Sequence, residues 1–222
     1  MNPNTETRPM EHTEHSRNIY IIGAQSTGKT TLVNALEKFF ESGNELPARL
    51  KDIKPTVIRE VARTVLKTHN FTRDDISTSP MRALNLQELI LEAQLKAEDS
   101  AIDETTSDKW FISDRSGVDP MVYAKLYAAP GAAEDMMIST QGKSVATRMQ
   151  DGIVFLCEAG CDFLTDDGIR LMPENLKQWL LVNTTFDEIL QTLGIDRILI
   201  PKGVIGLDQR VKIVLNAICS LQ

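Results

Sequence analysis

The chain has 222 residues, 42% of them hydrophobic, with 24 Lys and Arg against 31 Asp and Glu, a net charge of −7. With a pI near 5.1, that balance excludes a protein that grips nucleic acid by bulk charge, so any phosphate must be held by local cations and backbone N–H groups. No apolar run reaches membrane-spanning length, and three cysteines, Cys157, Cys161 and Cys219, build no disulfide framework. The length suits one domain with a substantial core. His12, His15 and His69 form no ligand cluster. An intracellular, cytoplasmic protein without a nucleic-acid partner is expected.

Residues 1–17 carry Glu6, Arg8, Glu11, Glu14 and Arg17, two prolines, and only Met1 and Met10 as sizeable apolar groups. Such a segment cannot offset its ordering entropy, so a solvated, disordered tail is expected, followed by one domain over 18–222. It is too acidic for a transit peptide and lacks the apolar core of a secretory signal.

An apolar run at 18–22 predicts the first strand, and a helix is expected from about 29 to 41. Between them Gly23-Ala24-Gln25-Ser26-Thr27-Gly28-Lys29-Thr30-Thr31 fits G-x-x-x-x-G-K-[ST] without a mismatch. Each fixed residue has a task. Gly23 and Gly28 let the backbone turn so that successive N–H groups converge on phosphate oxygens. Lys29 brings a cation to the β and γ oxygens, the Thr30 hydroxyl suits Mg²⁺, and the helix start adds its positive end. The motif therefore predicts a nucleoside triphosphate site at 23–31, with ATP and Mg²⁺ as the expected ligands.

Ser42-Gly43-Asn44 ends this helix. Residues 54–59 read as the second strand, leading into Glu60 and a short helix to about 68. Glu60 then lies at the carboxyl edge of the sheet, where ligands of doubly wound folds gather. A carboxylate there can accept a proton from an attacking hydroxyl or hold that hydroxyl in place. Arg63 is three residues on, so a Glu60–Arg63 helix pair is the competing explanation. Ser79-Pro80 caps and opens a long helix to about 98.

Residues 109–114 predict the third strand. Asp114 at its end can hold or orient Mg²⁺ opposite Thr30, and Arg115 adds a planar cation suited to phosphate oxygens. A surface salt bridge is the other reading of an Asp-Arg pair. A helix is expected at 120–127, a surface loop near 139–144, and a strand covered on both faces at 152–157. The polar, Gly-containing stretch after Cys157 suggests a lid over the phosphates, about 159–172, in which Arg170 would stabilise charge on the transferring group. Asp166-Asp167-Gly168 reads as a turn rather than a metal site. Apolar spacing predicts a helix over 173–193 with a break at Asn183-Thr184, where Thr184 and Asp187 can cap a second segment. A strand at 197–200 and a helix at 207–221 complete the chain. The fold class is α/β: a P-loop NTPase fold with a five-stranded parallel sheet, helices on both faces and a lid.

Gly-Ala-Gln-Ser-Thr-Gly-Lys-Thr-Thr, Arg-Glu-Val-Ala-Arg around Glu60, Gln87 and Gln94 on the long helix, Ile-Ser-Asp-Arg-Ser around Asp114, and Asp-Asp-Gly-Ile-Arg ending at Arg170 occur in that order. Together they resemble the NadR-type AAA/kinase family, which includes nicotinamide riboside kinase domains. More distantly the chain is similar to thymidylate and deoxynucleoside kinases, over about 18–221. The resemblance implies Lys29 and Thr30 on phosphates and Mg²⁺, and Asp114 near the metal. It further implies Arg115 and Arg170 on phosphates, Glu60 facing the acceptor hydroxyl, and Arg63, Gln87 and Gln94 toward the substrate. At 222 residues, a separate adenylyltransferase domain like that of the bifunctional bacterial proteins is not expected.

The expected activity is that of a small-molecule kinase moving the γ-phosphoryl of ATP to a hydroxyl of a nucleoside-like acceptor, by in-line positioning and charge neutralisation. The alternative is a nucleotide-dependent switch or binding module, since Asp114-Arg115-Ser116-Gly117 satisfies the D-x-x-G element of GTPases. No N-K-x-D guanine motif accompanies it.

Overall fold

The computed structural model describes residues 18–42, 54–102, 109–161 and 175–220. The expected tail at 1–17, the Gly43-Asn44 helix end, nearly all of the expected lid, and Arg170 lie outside the described residues.

Five strands, β1 (Ile19–Ile22), β2 (Thr56–Ile58), β3 (Phe111–Asp114), β4 (Ile153–Cys157) and β5 (Ile198–Ile200), form one sheet in the order β2-β3-β1-β4-β5. Every pairing is parallel. Parallel neighbours need crossovers, and helices supply them on both faces. The pleat divides the apolar residues of each strand between two cores. Tyr20, Ile22, Phe111, Val154 and Leu156 face one core, whereas Ile19, Ile21, Ile112, Ile153 and Phe155 face the other. Near-continuous apolar strands are the consequence.

Helix α1 (Lys29–Ser42) buries Leu32, Val33, Leu36 and Phe40 against the second core, beside α9 (Leu207–Ser220), which contributes Val214 and Ile218. On the opposite face lie α4 (Pro80–Ala101), α5 (Val118–Tyr127), α6 (Ala132–Ile138), α7 (Thr140–Gln150) and α8 (Leu176–Thr192). A third cluster joins α4 to α2 (Val61–Thr68) and α3 (Arg73–Thr78) through Val65, Ile76, Ala83, Leu86 and Ile90. Ser79 caps α4 as expected, its hydroxyl accepting from Arg82 N.

Two expectations need correction. Residues 139–144 are not a loop: Ser139 caps α7 by accepting from Gly142 N at 3.0 Å. A Cβ on Gly142 would stand 2.1 Å from Met136 O, so the polar, glycine-bearing sequence serves a tight α6–α7 junction. Helix α8 does not break at Asn183-Thr184. The Thr184 hydroxyl donates to Leu180 O at 3.2 Å, and Asn183 Oδ1 accepts from Ala159 N at 3.2 Å, so neither caps a new segment. Helix α3 was not expected. Its sequence signal is the Thr72–Asp75 capping box, in which each side chain bonds the other's backbone N–H. Among the described residues, no helix is long and apolar enough to cross a membrane.

Candidate active site

The phosphate-loop motif curls between β1 and α1 with Gly23 at φ 132°, Ser26 at 57° and Gly28 at 78°. A Cβ on Gly23 would lie 2.5 Å from Cys157 O, so only glycine lets β1 leave the sheet this close to the end of β4. Three donors pull the loop carbonyls outward. Trp179 Nε1 of α8 donates to Gln25 O at 2.9 Å, Cys161 Sγ to Ser26 O at 3.7 Å, and Arg210 Nη2 of α9 to Thr27 O at 2.9 Å. Because the peptide is planar and trans, the N–H groups of Ser26, Thr27 and Gly28 turn the other way, into the concave side. That arrangement is an anion cradle.

Lys29 sits inside the curl, donating from Nζ to Ala24 O at 2.5 Å and to Thr27 Oγ1 at 3.4 Å. Burial, and then the positive charge of Arg115, lower its pKa to about 8. The cation is thus held where anionic oxygens would restore its charge. Thr31 is exposed on the first turn of α1.

Register brings the second motif alongside. Ile21 of β1 pairs with Asp114 of β3, so the ends of the two strands meet beneath the loop. Thr30 Oγ1 donates to Asp114 Oδ2 at 2.6 Å, and Asp114 Oδ1 is buried without a hydrogen-bond partner among the described residues. A hydroxyl beside a carboxylate with a spare oxygen fits Mg²⁺, which takes few protein ligands and completes its shell with phosphates and water. Among the described residues no group of three or more His, Cys, Asp or Glu could hold a metal by itself.

Arg115 follows Asp114 at φ 85°, an unusual backbone for a non-glycine residue, and its N–H donates to Ile21 O at 3.0 Å. The side chain is thereby aimed away from the sheet, into a network with Glu60 and Asp119. Arg115 Nε donates to Glu60 Oε1 at 2.7 Å and Nη1 to Asp119 Oδ1 at 3.1 Å. Burial opposes the Arg115 charge, but Glu60 and Asp119 outweigh it and keep the guanidinium well above its usual range. Asp119 also accepts from Ser116 N at 2.8 Å and from Ser116 Oγ at 3.1 Å. Its own pKa is raised by burial.

Arg63 Nε donates to Glu60 Oε2 at 2.9 Å, so the helix pair weighed as a competing explanation is present. It coexists with the Arg115 contact, since each guanidinium takes a different carboxylate oxygen. Arg63 itself is not in the wall of the cleft described next.

Glu60, Arg115 and Asp119 stand in the wall of a cleft enclosing about 660 Å³, open mouth included. Val61, Leu66, Ile76, Leu86 and Ile90 give it an apolar body, and Gln25, Gln87, Gln94 and Tyr123 add polar groups. Gln87, Ile90 and Gln94 follow one stripe of α4, by helical spacing. Gln25 belongs to both sites: its carbonyl is part of the phosphate loop, whereas its side-chain Oε1 accepts from Tyr123 OH at 3.0 Å in the cleft. The cleft therefore adjoins the anion cradle.

Sequence reasoning missed Asp119, Tyr123, Ser113 and Glu98. Asp119 had a legible signal, an acid four residues after Arg115 at the start of a helix.

An anion cradle at the end of the first of five parallel strands, ordered β2-β3-β1-β4-β5, defines a protein of the P-loop kinase-like fold. A family model described as an AAA domain matches residues 18–207, and the chain belongs to that family. The expected AAA family membership and P-loop kinase-like fold are borne out. A structure of NadR protein in complex with NR superposes with a TM-score of 0.66 at 17% identity, covering 91% of this chain and 50% of that one. This chain thus spans about half the length of that NadR protein. Deoxyadenosine kinase from M. mycoides with bound dATP gives a TM-score of 0.60 at 12% identity, covering 90% of this chain and 98% of that one. No curated protein matches. At these identities the likeness to solved structures establishes the fold.

Proposed function

We propose that the protein is a kinase that binds ATP·Mg²⁺ at 23–31 and transfers the γ-phosphoryl to a hydroxyl of a nucleoside-like or ribosyl acceptor held in the cleft. The observation that carries this reading is the continuity of the two sites through Gln25, with Glu60 and Arg115 in the cleft wall. An NTPase that only hydrolyses has no need of a second, largely apolar cavity beside its phosphate loop.

In this reading the loop N–H groups and Lys29 hold the phosphates, while Thr30 and Asp114 hold Mg²⁺. The metal, when bound, neutralises charge on the β and γ oxygens. Glu60 orients the acceptor hydroxyl and takes its proton as that oxygen bonds to the γ-phosphorus and the bond to the ADP oxygen breaks. A loose transition state needs little proton removal early, so positioning by Glu60 counts for more than its basicity. Arg115 and Asp119 fix the carboxylate's orientation. Arg170 is assigned by resemblance to the transferring phosphoryl group and Gln87 and Gln94 to the acceptor, whereas Arg63, which the resemblance also put toward the substrate, supports Glu60 through its 2.9 Å hydrogen bond. The protein acts in the reducing cytoplasm on small molecules, without nucleic acid, a reading supported by its acidic charge and by cysteines whose number and spacing build no disulfide framework.

The switch reading is disfavoured by Gly117. It lies at an ordinary helical φ of −68°, and a Cβ there would stand 2.3 Å from Val145 Cγ2. Its lack of a side chain serves packing rather than a phosphate-sensing hinge. The test is a phosphoryl-transfer screen with ATP and GTP against nucleosides, nucleotides and nicotinamide riboside. Formation of a phosphorylated acceptor is the expected result, whereas slow hydrolysis alone across the panel would reinstate the binding module.

A further inference from the structure

Gln94 stands in the cleft wall at 1% exposure. Its Nε2 donates to Glu98 Oε1 and to Ser113 Oγ, each at 3.0 Å, and its Oε1 has no partner among the described residues. Which amide atom faces which neighbour is decided here by the chemistry of the neighbours. Arg148 donates from Nη1 to Glu98 Oε2 at 3.3 Å; burial raises the Glu98 pKa, while the Gln94 amide and Arg148 pull against it and favour the carboxylate, which accepts on both oxygens. Only the NH₂ of Gln94 can face it. The carbonyl oxygen is left over, buried and unsatisfied, an arrangement that native proteins seldom keep without a use.

Among the described residues Arg115 is the one basic group of the cleft wall, and it is taken up by Glu60 and Asp119. An anionic group near Gln94 would meet the amide oxygen and the Glu98 carboxylate behind it. We propose that the cleft selects an uncharged ligand group that carries an N–H or O–H donor, read by Gln94 Oε1, with Glu98 as the positioning residue that keeps that oxygen free for it. The inference rests on the cleft being the acceptor site. A ligand lacking the donor leaves the buried oxygen unpaired and binds about tenfold or more weakly.

The test is equilibrium binding by calorimetry in the absence of triphosphate, so that it does not depend on turnover. The probes are two matched pairs, uridine with 3-methyluridine and inosine with 1-methylinosine, in which methylation removes one ring N–H. The N–H member of at least one pair should bind the native protein about tenfold or more tightly than its methylated partner. Glu98→Gln should abolish or invert that ratio, because the new carboxamide turns its oxygen to Arg148 and its NH₂ to Gln94, forcing the Gln94 amide to flip. Gln94→Met, of similar size, should bring the ratio near one, and it serves if Glu98→Gln does not fold. Equal binding within both pairs by the native protein overturns the proposal, as does a ratio that survives Gln94→Met. So does failure of every N–H probe to bind at millimolar concentration. That last result leaves the kinase reading to the phosphoryl-transfer screen, where an acceptor without a donor group is still detected.

Discussion

Thr30 and Asp114, 84 residues apart in the chain, meet through a 2.6 Å hydrogen bond from the threonine hydroxyl to Asp114 Oδ2. The contact exists because β3 lies directly beside β1 with Ile21 opposite Asp114. It joins the residue after the phosphate-loop lysine to the end of the neighbouring strand, the two side chains proposed to hold Mg²⁺.

Asp114→Asn preserves size and removes the charge. Triphosphate affinity measured without Mg²⁺ should change by less than about threefold, while the gain in affinity on adding Mg²⁺ should shrink by about tenfold or more. An Mg²⁺ titration of nucleotide binding that matches the native protein would make Asp114 a structural residue.

Lys29→Ala should weaken triphosphate binding by about 10- to 100-fold, the range for hydrogen bonds to a charged group, and leave the melting temperature unreduced. The reason for the second effect is the buried ammonium. Its pKa is about 8 in the folded protein against 10.5 ordinarily, so between those values the unfolded chain holds a proton that the folded one has released. This group's contribution to stability therefore rises with pH across about 8 to 10.5, and below pH 8 its full penalty is present. Bound phosphate returns the charge. Calorimetry at pH 8.5 in buffers of different ionisation enthalpy should show proton uptake on nucleotide binding, and Lys29→Ala should remove that uptake.

Glu60→Gln should lower acceptor phosphorylation by about 100-fold or more if the carboxylate acts as the base, and by less, with the same sign, if it only orients the hydroxyl. Triphosphate affinity should stay within about twofold, since Glu60 stands in the cleft wall with its two carboxylate oxygens accepting from Arg63 and Arg115. Rates of the mutant and parent that coincide on an identified acceptor would remove Glu60 from the mechanism.

Gly117→Ala forces a methyl against Val145 and Leu91. Overpacking of this kind costs about 1–3 kcal/mol, readable in a denaturant titration. Nucleotide affinity of the folded fraction should be unchanged. A specific loss of the response to triphosphate with full stability would point back to a switch.

Much of the α/β fold was legible because its signals are local. Apolar runs such as 152–157 need only both faces covered to become buried parallel strands, and Ser79-Pro80 needs only its own backbone to start α4. The misread places have the opposite character. Gly142 and the Asn183-Thr184 pair look like chain breakers until Met136, Met137 and Ala159 are packed against them, and only then does the absence of a side chain, or a spare amide, become an asset to a helix.

The same division runs through the site. The nine residues from Gly23 to Thr31 carry the signature of a phosphate cradle by themselves, because a backbone that turns on two glycines and opens into a helix can present its N–H groups wherever it occurs. What tertiary structure alone decided is the partnership around it. The outward pull of Trp179, Cys161 and Arg210 on the loop carbonyls, the aim of Arg115 at Glu60 rather than at the cradle, and the hold of Ser113 on the Gln94 amide depend on strand order and helix packing. These bring residues separated by tens of positions to within 4 Å of one another. Hydrogen bonds and ion pairs act only at that range, so no spacing along the chain could announce them.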